Sequence, residues 1–294
     1  MNQKSIVVFA SGDLGAKLLH YVVKSGYKVK AVLTNKHSTA IIDFTKKIKL
    51  PIFIGNPNND TGIGFIKNFN SEIMLSVNYI FLVKTNIFGS FDFPINIHGS
   101  LLPKYRGRTP HIWAIINNEK ETGITSHFIN EGCDEGDIIF QKTVPIGVFD
   151  TGASILVKFE RLYPTIIDKT LHLVDSGKLH KTKQNHSVAT FFGKRVPEDG
   201  EINWNWQKEQ IYNWVRALAY PYPGAFSTIN NIKFIIDQIE FDQMGFNYTM
   251  KNGLILSLEP FLIKTPNGVI KIVKYREGNM NELKIGDILR SKLC

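Results

Sequence analysis

Residues 6–24 read IVVFASGDLGAKLLHYVVK, and this stretch decides the fold. Ile6 to Ala10 form an unbroken apolar run closed by Ser11-Gly12, as expected for a strand buried on both faces. Leu14, Leu18, Leu19 and Val22 then recur at helical spacing, and Gly26 closes the segment. Reading outward, Val29–Leu33, Ile52–Ile54, Ile73–Val77 and Ile95–His98 are predicted as strands two to five, with helical stretches between most of them. Strands spaced by helices predict a parallel sheet with right-handed crossovers. Thr125–Ile129 and Asp137–Val144 read as a strand pair, followed by a long helix from Ala153 to Val174 with Gly177 as its stop.

Residues 180–200, HKTKQNHSVATFFGKRVPEDG, are polar and poorly periodic. They are predicted to be the linker (181–200) between domains at 1–180 and 201–294. Beyond them, Ile211, Trp214, Val215 and Leu218 mark one amphipathic helix. Short strand-like pieces follow, with turns at Asn252-Gly253 and Pro266-Asn267-Gly268. The fold class expected is therefore α/β: a Rossmann-like parallel sheet with helices on both faces, plus a small C-terminal β-barrel-like (OB-like) domain.

A chain of 294 residues with 43% apolar content can bury two such cores without covalent staples. Its two cysteines, Cys133 and Cys294, cannot build a disulfide framework or a thiolate zinc site, so no metal is expected. The opening residues lack the apolar stretch of a secretory signal, and Ile73 to Val83 is far below membrane-spanning length. A soluble, cytoplasmic protein is expected, with no membrane partner. The net charge of +9 suits an anionic partner, and a solvated basic surface accounts for it equally well. Residues 1–200 carry 24 basic against 17 acidic residues, so most of the excess lies there.

The densest polar cluster runs from Pro94 to Arg108, PINIHGSLLPKYRGR. Ile95 and Ile97 point to one face of their strand, Asn96 and His98 to the other. Two polar side chains at the C-terminal end of a buried strand fall where open α/β sheets place their ligands. Thr125 and His127 share a face of the next predicted strand. Asp134 lies in the glycine-flanked loop Gly132-Cys-Asp-Glu-Gly136, whose sharp turn can hold a carboxylate near His98. Glu135 and Asp137 read as solvated turn formers.

NIHGSLLPKYRG (96–107) and WAIINNEKETGITSHFINEGCDEGDII (113–139) closely resemble the 10-formyltetrahydrofolate-dependent formyltransferases. KRVPEDGEINWNWQKEQIYNWVRALAYPYPGAF (194–226) is similar to the linker and opening of that family's C-terminal domain, as found in its tRNA and sugar enzymes. The resemblance places the catalytic Asn, His and Asp on Asn96, His98 and Asp134, with Ser100 opening the SLLP motif. It implies 10-formyltetrahydrofolate as co-substrate, with Asn78, Tyr79, Ile80 and the Asp134 loop lining the folate slot. Asn96 would stabilise an oxyanion, His98 would act as acid/base, and Asp134 would orient His98. Ser100, Thr125 and His127 would stand behind them. Lys104, Arg106 and Arg108 lie directly after the catalytic strand, where they are placed either to pair with substrate phosphates or to stand as three solvated loop charges.

The likeness is strongest to enzymes that formylate nucleotide-linked amino sugars, of the dTDP-4-amino-4,6-dideoxyglucose or UDP-4-amino-arabinose type. It implies a role in surface polysaccharide (O-antigen) synthesis and a homodimer. Methionyl-tRNA formyltransferase is the alternative. That subfamily inserts a basic segment after strand two, whereas here Leu33–Ala40 runs straight into a helix, so nucleic acid is not the expected partner. A dinucleotide-binding oxidoreductase ranks last, because Ala10–Gly15 lacks the first glycine of G-x-G-x-x-G and strand two ends without an acidic ribose ligand.

Overall fold

The computed structural model describes residues 3–229, 232–277 and 282–290; Cys294 lies outside them. The chain runs β1 (Ile6–Ala10), α1 (Gly12–Lys24), β2 (Val29–Thr34), α2 (Thr39–Lys47), β3 (Ile52–Ile54), α3 (Asp60–Lys67), β4 (Ile73–Val77), α4 (Thr85–Phe88) and β5 (Phe93–His98). It continues through β6 (Arg106–Gly107), α5 (Pro110–Ile116), β7 (Glu121–Phe128), β8 (Ile138–Pro145), α6 (Gly152–Asp175), β9 (Phe191–Phe192) and α7 (Lys208–Leu218). Five strands close it: β10 (Ala225–Ile229), β11 (Ile232–Asp242), β12 (Ile255–Leu258), β13 (Phe261–Thr265) and β14 (Gly268–Glu277).

It divides into two compact units, one of residues 1–107, 122–144 and 158–192, the other of 108–121, 145–157 and 193–294. The first holds a seven-stranded sheet in the order β3-β2-β1-β4-β5-β7-β8. Every residue of β1 and β4 is buried, so both faces of the sheet centre are covered, as their uninterrupted apolar runs require. Val7, Phe9, Ala31, Leu33 and Met74 form one of these cores.

Strand order turns outward in both directions from the β1/β4 pair, which makes it the switch point where α/β sheets form a ligand crevice. The loops leaving these two strands meet there, Asn78 Nδ2 donating to Ser11 O at 2.9 Å. Gly12, at φ +65°, makes the left-handed step from β1 into α1, and Gly15 lets α1 approach Ala10 closely. These glycines serve a tight strand-to-helix turn, the reading left once the dinucleotide fingerprint proved incomplete.

In one respect the sheet departs from expectation. β1 to β5 are parallel, but β7 runs antiparallel to β5, so the sheet is mixed. Hydrophobic periodicity sets which face of a strand is buried and carries no information on its direction. The reversal matters for the site, because it places Asn96 directly opposite His127, and His98 opposite Thr125.

In the second unit, an antiparallel sheet of order β10-β11-β14-β13-β12 forms a half-barrel rather than a closed barrel. Repeated register shifts between β11 and β14 bend it. Its core includes Ile202, Ile211, Val215 and the fully buried Trp204, whose Nε1 donates to Ser227 Oγ. Among the described residues no helix is long and apolar enough to cross a membrane.

Candidate active site

The sheet brings Asn96, His98, His127 and Asp134 to one point. Asn96 and His98 come from the end of β5, His127 from its antiparallel neighbour β7, and Asp134 from the loop between β7 and β8. Asp134 sits in the left-handed region at φ +55°, and a Cβ on Gly136 would collide with the Phe128 carbonyl, so this loop conformation depends on its glycine.

Proton positions follow from the partners. His98 Nε2 lies 2.8 Å from Tyr105 O, so this nitrogen carries the hydrogen and Nδ1 faces Asp134 Oδ2 at 3.5 Å. His127 Nδ1 lies 2.7 Å from Phe128 O and is likewise the donor, which turns its Nε2 toward Asn96 Nδ2 (3.1 Å) and Asp134 Oδ1 (3.5 Å). One carboxylate therefore stands between two imidazole nitrogens that can each receive a proton. Gly107 N–H donates to Asp134 Oδ2 at 2.9 Å. Burial pushes the Asp134 carboxyl up, but the charge on each imidazole once its facing nitrogen is protonated, the hydrogen bond that His127 then donates, and the Gly107 N–H outweigh it. The net effect holds the group well below the usual carboxylate range, so Asp134 stays ionised at neutral pH.

The Asn96 amide also donates to Asp134 Oδ1 at 3.3 Å, so both Nδ2 hydrogens have acceptors. The bond to Asp134 is the longer of the two. An amide donor, an ionised carboxylate and two imidazoles on one sheet edge can stabilise an oxyanion and move a proton.

Residues 4–170 match the Formyl transferase family, and residues 194–293 match the Formyl transferase, C-terminal domain. The chain belongs to the formyl transferase family. The bifunctional polymyxin resistance protein ArnA of Wigglesworthia glossinidia brevipalpis is 34% identical over 304 residues, covering 98% of this chain and 45% of that protein. The chain thus spans less than half the length of this curated relative. An N-formyltransferase structure from Helicobacter canadensis, in complex with folinic acid and dTDP-3-aminofucose, is similar at a TM-score of 0.73 and 22% identity, covering 94% of this chain and 100% of that one. WlaRD, a sugar 3N-formyl transferase solved in the presence of dTDP and 5-N-formyl-THF, gives 0.69 and 22%, with 92% and 98% covered. At this identity the two structures share the fold with this formyl transferase chain.

Around the convergence point, Thr125 and Ser100 act as a brace. Thr125 Oγ1 donates to Ser100 O (2.6 Å) and accepts from Leu102 N (3.2 Å) and Gln141 Nε2 (2.8 Å), while Ser100 Oγ donates to Lys104 O (2.7 Å). These bonds shape the turn that leads from His98 back to Tyr105. Thr125→Val keeps the side-chain shape but strands two buried backbone groups, Ser100 O and Leu102 N–H. It is expected to cost about 1–3 kcal/mol of stability, read from urea unfolding midpoints; an unchanged midpoint would show that the brace carries no load.

Arg106 is not available to a phosphate. It is 1% exposed, its Nε and Nη2 donate to Gln184 Oε1 (3.1 and 2.7 Å), and Nη1 pairs with Glu135 Oε1 at 3.2 Å. Glu135 is accordingly a partner of Arg106 rather than a solvated turn former. Lys104 is exposed, and Arg108 is exposed within the second unit. Near the switch point, Asn78 is exposed and Ile80 is 39% exposed. Tyr79 packs edge-on against Phe9 at 5.3 Å, and its buried hydroxyl has no hydrogen-bond partner among the described residues.

Four contributors were not read from sequence: Tyr105 O, Gly107 N–H, Gln184 and Thr190. Two are backbone groups, which leave no mark on residue type. Thr190 Oγ1 accepts from Tyr105 N at 2.8 Å, and both it and Gln184 belong to the polar, aperiodic stretch 181–192, which joins the first unit.

Proposed function

We propose that this chain transfers a formyl group from 10-formyltetrahydrofolate to the amino group of a nucleotide-linked amino sugar. The first candidate is dTDP-4-amino-4,6-dideoxyglucose, which would place the reaction in surface polysaccharide synthesis. The observation that carries this reading is the convergence of Asn96, His98 and Asp134 at the sheet edge beside the β1/β4 switch point. The folinic acid and dTDP-3-aminofucose bound by the Helicobacter canadensis enzyme, and the dTDP and 5-N-formyl-THF present with WlaRD, support the choice of substrate classes.

Formyl transfer to an amine needs an unprotonated nucleophile, a donor for the formyl oxygen as it gains charge, and a proton for the departing folate nitrogen. Asn96 supplies the donor by exchanging its long contact with Asp134 Oδ1 for the formyl oxygen. His98 Nδ1 takes the amine proton, directly or through a water, and passes a proton to the departing nitrogen. Asp134 holds the imidazole and stabilises its charged form. The donor set suits the formyl group, and apolar Ile80 and Leu82, both exposed beyond Tyr79, suit a pteridine face. Lys104, exposed in the same unit as the convergence point, is assigned to the diphosphate.

Only residues 35–38 separate β2 from α2, which leaves no room for the basic insertion of the tRNA enzymes. A panel of dTDP- and UDP-amino sugars and charged initiator tRNA, each with 10-formyltetrahydrofolate, tests the reading by following folate release. Turnover on the dTDP-4-amino sugar is expected. Turnover on tRNA alone would overturn the acceptor class.

A further inference from the structure

We propose that Gln184 is a positioning residue for Asp134, and that the segment 182–192 is the template on which the catalytic loop is set. The proposal rests on the formyl-transfer reading above for its functional consequence and on geometry for its existence. Gln184 is 6% exposed and uses both ends of its amide. Its Nε2 donates to Asp134 O and Gly136 O, each at 2.8 Å, which holds the carbonyls of the two residues that flank Glu135. Its Oε1 accepts from Arg106, whose third nitrogen pairs with Glu135. The result is a closed ring of contacts: amide to loop backbone, loop carboxylate to guanidinium, guanidinium to amide.

The same segment sets the opposite shoulder of the site. Phe191-Phe192 pairs in parallel with Arg106-Gly107, and Arg106 N donates to Thr190 O at 2.9 Å. The Arg106 guanidinium lies over the Phe191 ring, 5.1 Å from its centre. A Cβ on Gly107 would collide with Phe192 O, so the two strands approach as closely as glycine permits. This pairing aims Gly107 N–H at Asp134 Oδ2 and carries Tyr105 O to His98 Nε2. Both partners that orient the His98–Asp134 pair are thus held by residues 184–192.

Asp134 needs this support. Its φ of +55° lies in the left-handed region, which aspartate tolerates better than most residues but which does not fix where the carboxylate points, and that carboxylate stands 3.5 Å from His98 Nδ1. Loss of the Nε2 donor leaves two carbonyls of the loop unpaired and lets the carboxylate drift. A displacement of an ångström at a reacting group costs about 100-fold in rate.

Two variants separate positioning from plain stabilisation. Gln184→Glu keeps an acceptor for Arg106 but replaces the donor to the two carbonyls by a repelling oxygen. Gln184→Met removes both arms. For each, kcat, KM for 10-formyltetrahydrofolate, folinic acid affinity and Tm are measured. Loop geometry is read without turnover from the rate at which Cys133, exposed and 3.5 Å from Asp134 Oδ2, reacts with Ellman's reagent in a Cys294→Ser background.

Positioning predicts that both variants lose about 10- to 100-fold in kcat with KM and folinic acid affinity held. It also predicts an altered Cys133 reaction rate in both, even where Gln184→Glu keeps the wild-type Tm. Wild-type kcat and an unchanged Cys133 rate in Gln184→Glu, or a kcat that follows Tm alone, would overturn it. If the wild-type chain transfers no formyl group while Gln184→Glu still alters the Cys133 rate, the clamp stands and the formyl-transfer reading falls.

Discussion

Asp134→Asn is expected to lower kcat for formyl transfer by about 10³- to 10⁴-fold, the scale seen when a buried carboxylate that orients a catalytic imidazole becomes an amide. The substitution is isosteric, so the loop keeps its shape, but three things are lost together. The charge that favours a protonated His98 disappears. The acceptor facing Gly107 N–H weakens, because a neutral amide oxygen replaces an ionised one. An NH₂ group on the amide now faces either His98 Nδ1 or His127 Nε2, and where it faces His98 it donates into the nitrogen that the proposed mechanism uses as proton acceptor. The stability consequence has a definite sign. The folded Asp134 titrates below its unfolded value of about 3.9, so its contribution is fully present above that pH and is lost as pH falls through the folded value. Wild type is therefore expected to exceed Asp134→Asn in stability at pH 7, with the gap closing below about pH 4. Urea unfolding at pH 7 and pH 3 checks this; a gap of equal size at both would show that the ionised form is not what the fold stabilises.

Asn96→Ala is expected to cost roughly 2.7–4 kcal/mol of transition-state stabilisation, or about 10²–10³ in kcat, the measured scale for removing one oxyanion donor. On the proposed oxyanion role the effect should fall on kcat and not on donor affinity, because the amide would then meet the formyl oxygen only as charge develops there. The same change frees His127 Nε2 and Asp134 Oδ1 of their shared donor. An Asn96→Asp variant separates these contributions: it keeps the volume but sets a second carboxylate beside Asp134, and is expected to be no more active than Asn96→Ala. Near-normal turnover in either variant would remove Asn96 from the oxyanion role.

What could be read from sequence divides along physical lines. The β1–α1 unit is legible because an unbroken run of five apolar residues followed by helical spacing has few other solutions. Asn96 and His98 are legible because polar side chains at adjacent same-face positions of a buried strand cost energy unless they are used. Asp134 is legible through its flanking glycines together with the family resemblance. The antiparallel run of β7 is not, since alternation is the same in either direction, and so the cross-strand pair Asn96–His127 came only from the structure.

Arg106 shows a second limit. Next to Lys104 and Arg108 it reads as one of three loop cations, yet its partner Gln184 lies 78 residues away, and no local pattern distinguishes a buried guanidinium from a solvated one. Residues 181–192 show a third. Lack of periodicity reads as linker, but a segment that binds through side-chain amides, hydroxyls and a two-residue strand needs no periodicity.

The most direct measurement is single-turnover transfer of a ¹³C-labelled formyl group, with enzyme in excess over 10-formyltetrahydrofolate and the amino-sugar acceptor saturating. Wild type is compared with Asn96→Ala, His98→Ala and Asp134→Asn. The label should move to the sugar nitrogen on wild type, and at least about 100-fold more slowly on each variant, with donor affinity unchanged throughout. Transfer at the wild-type rate by any one of the three would contradict the assignment of catalysis to their convergence.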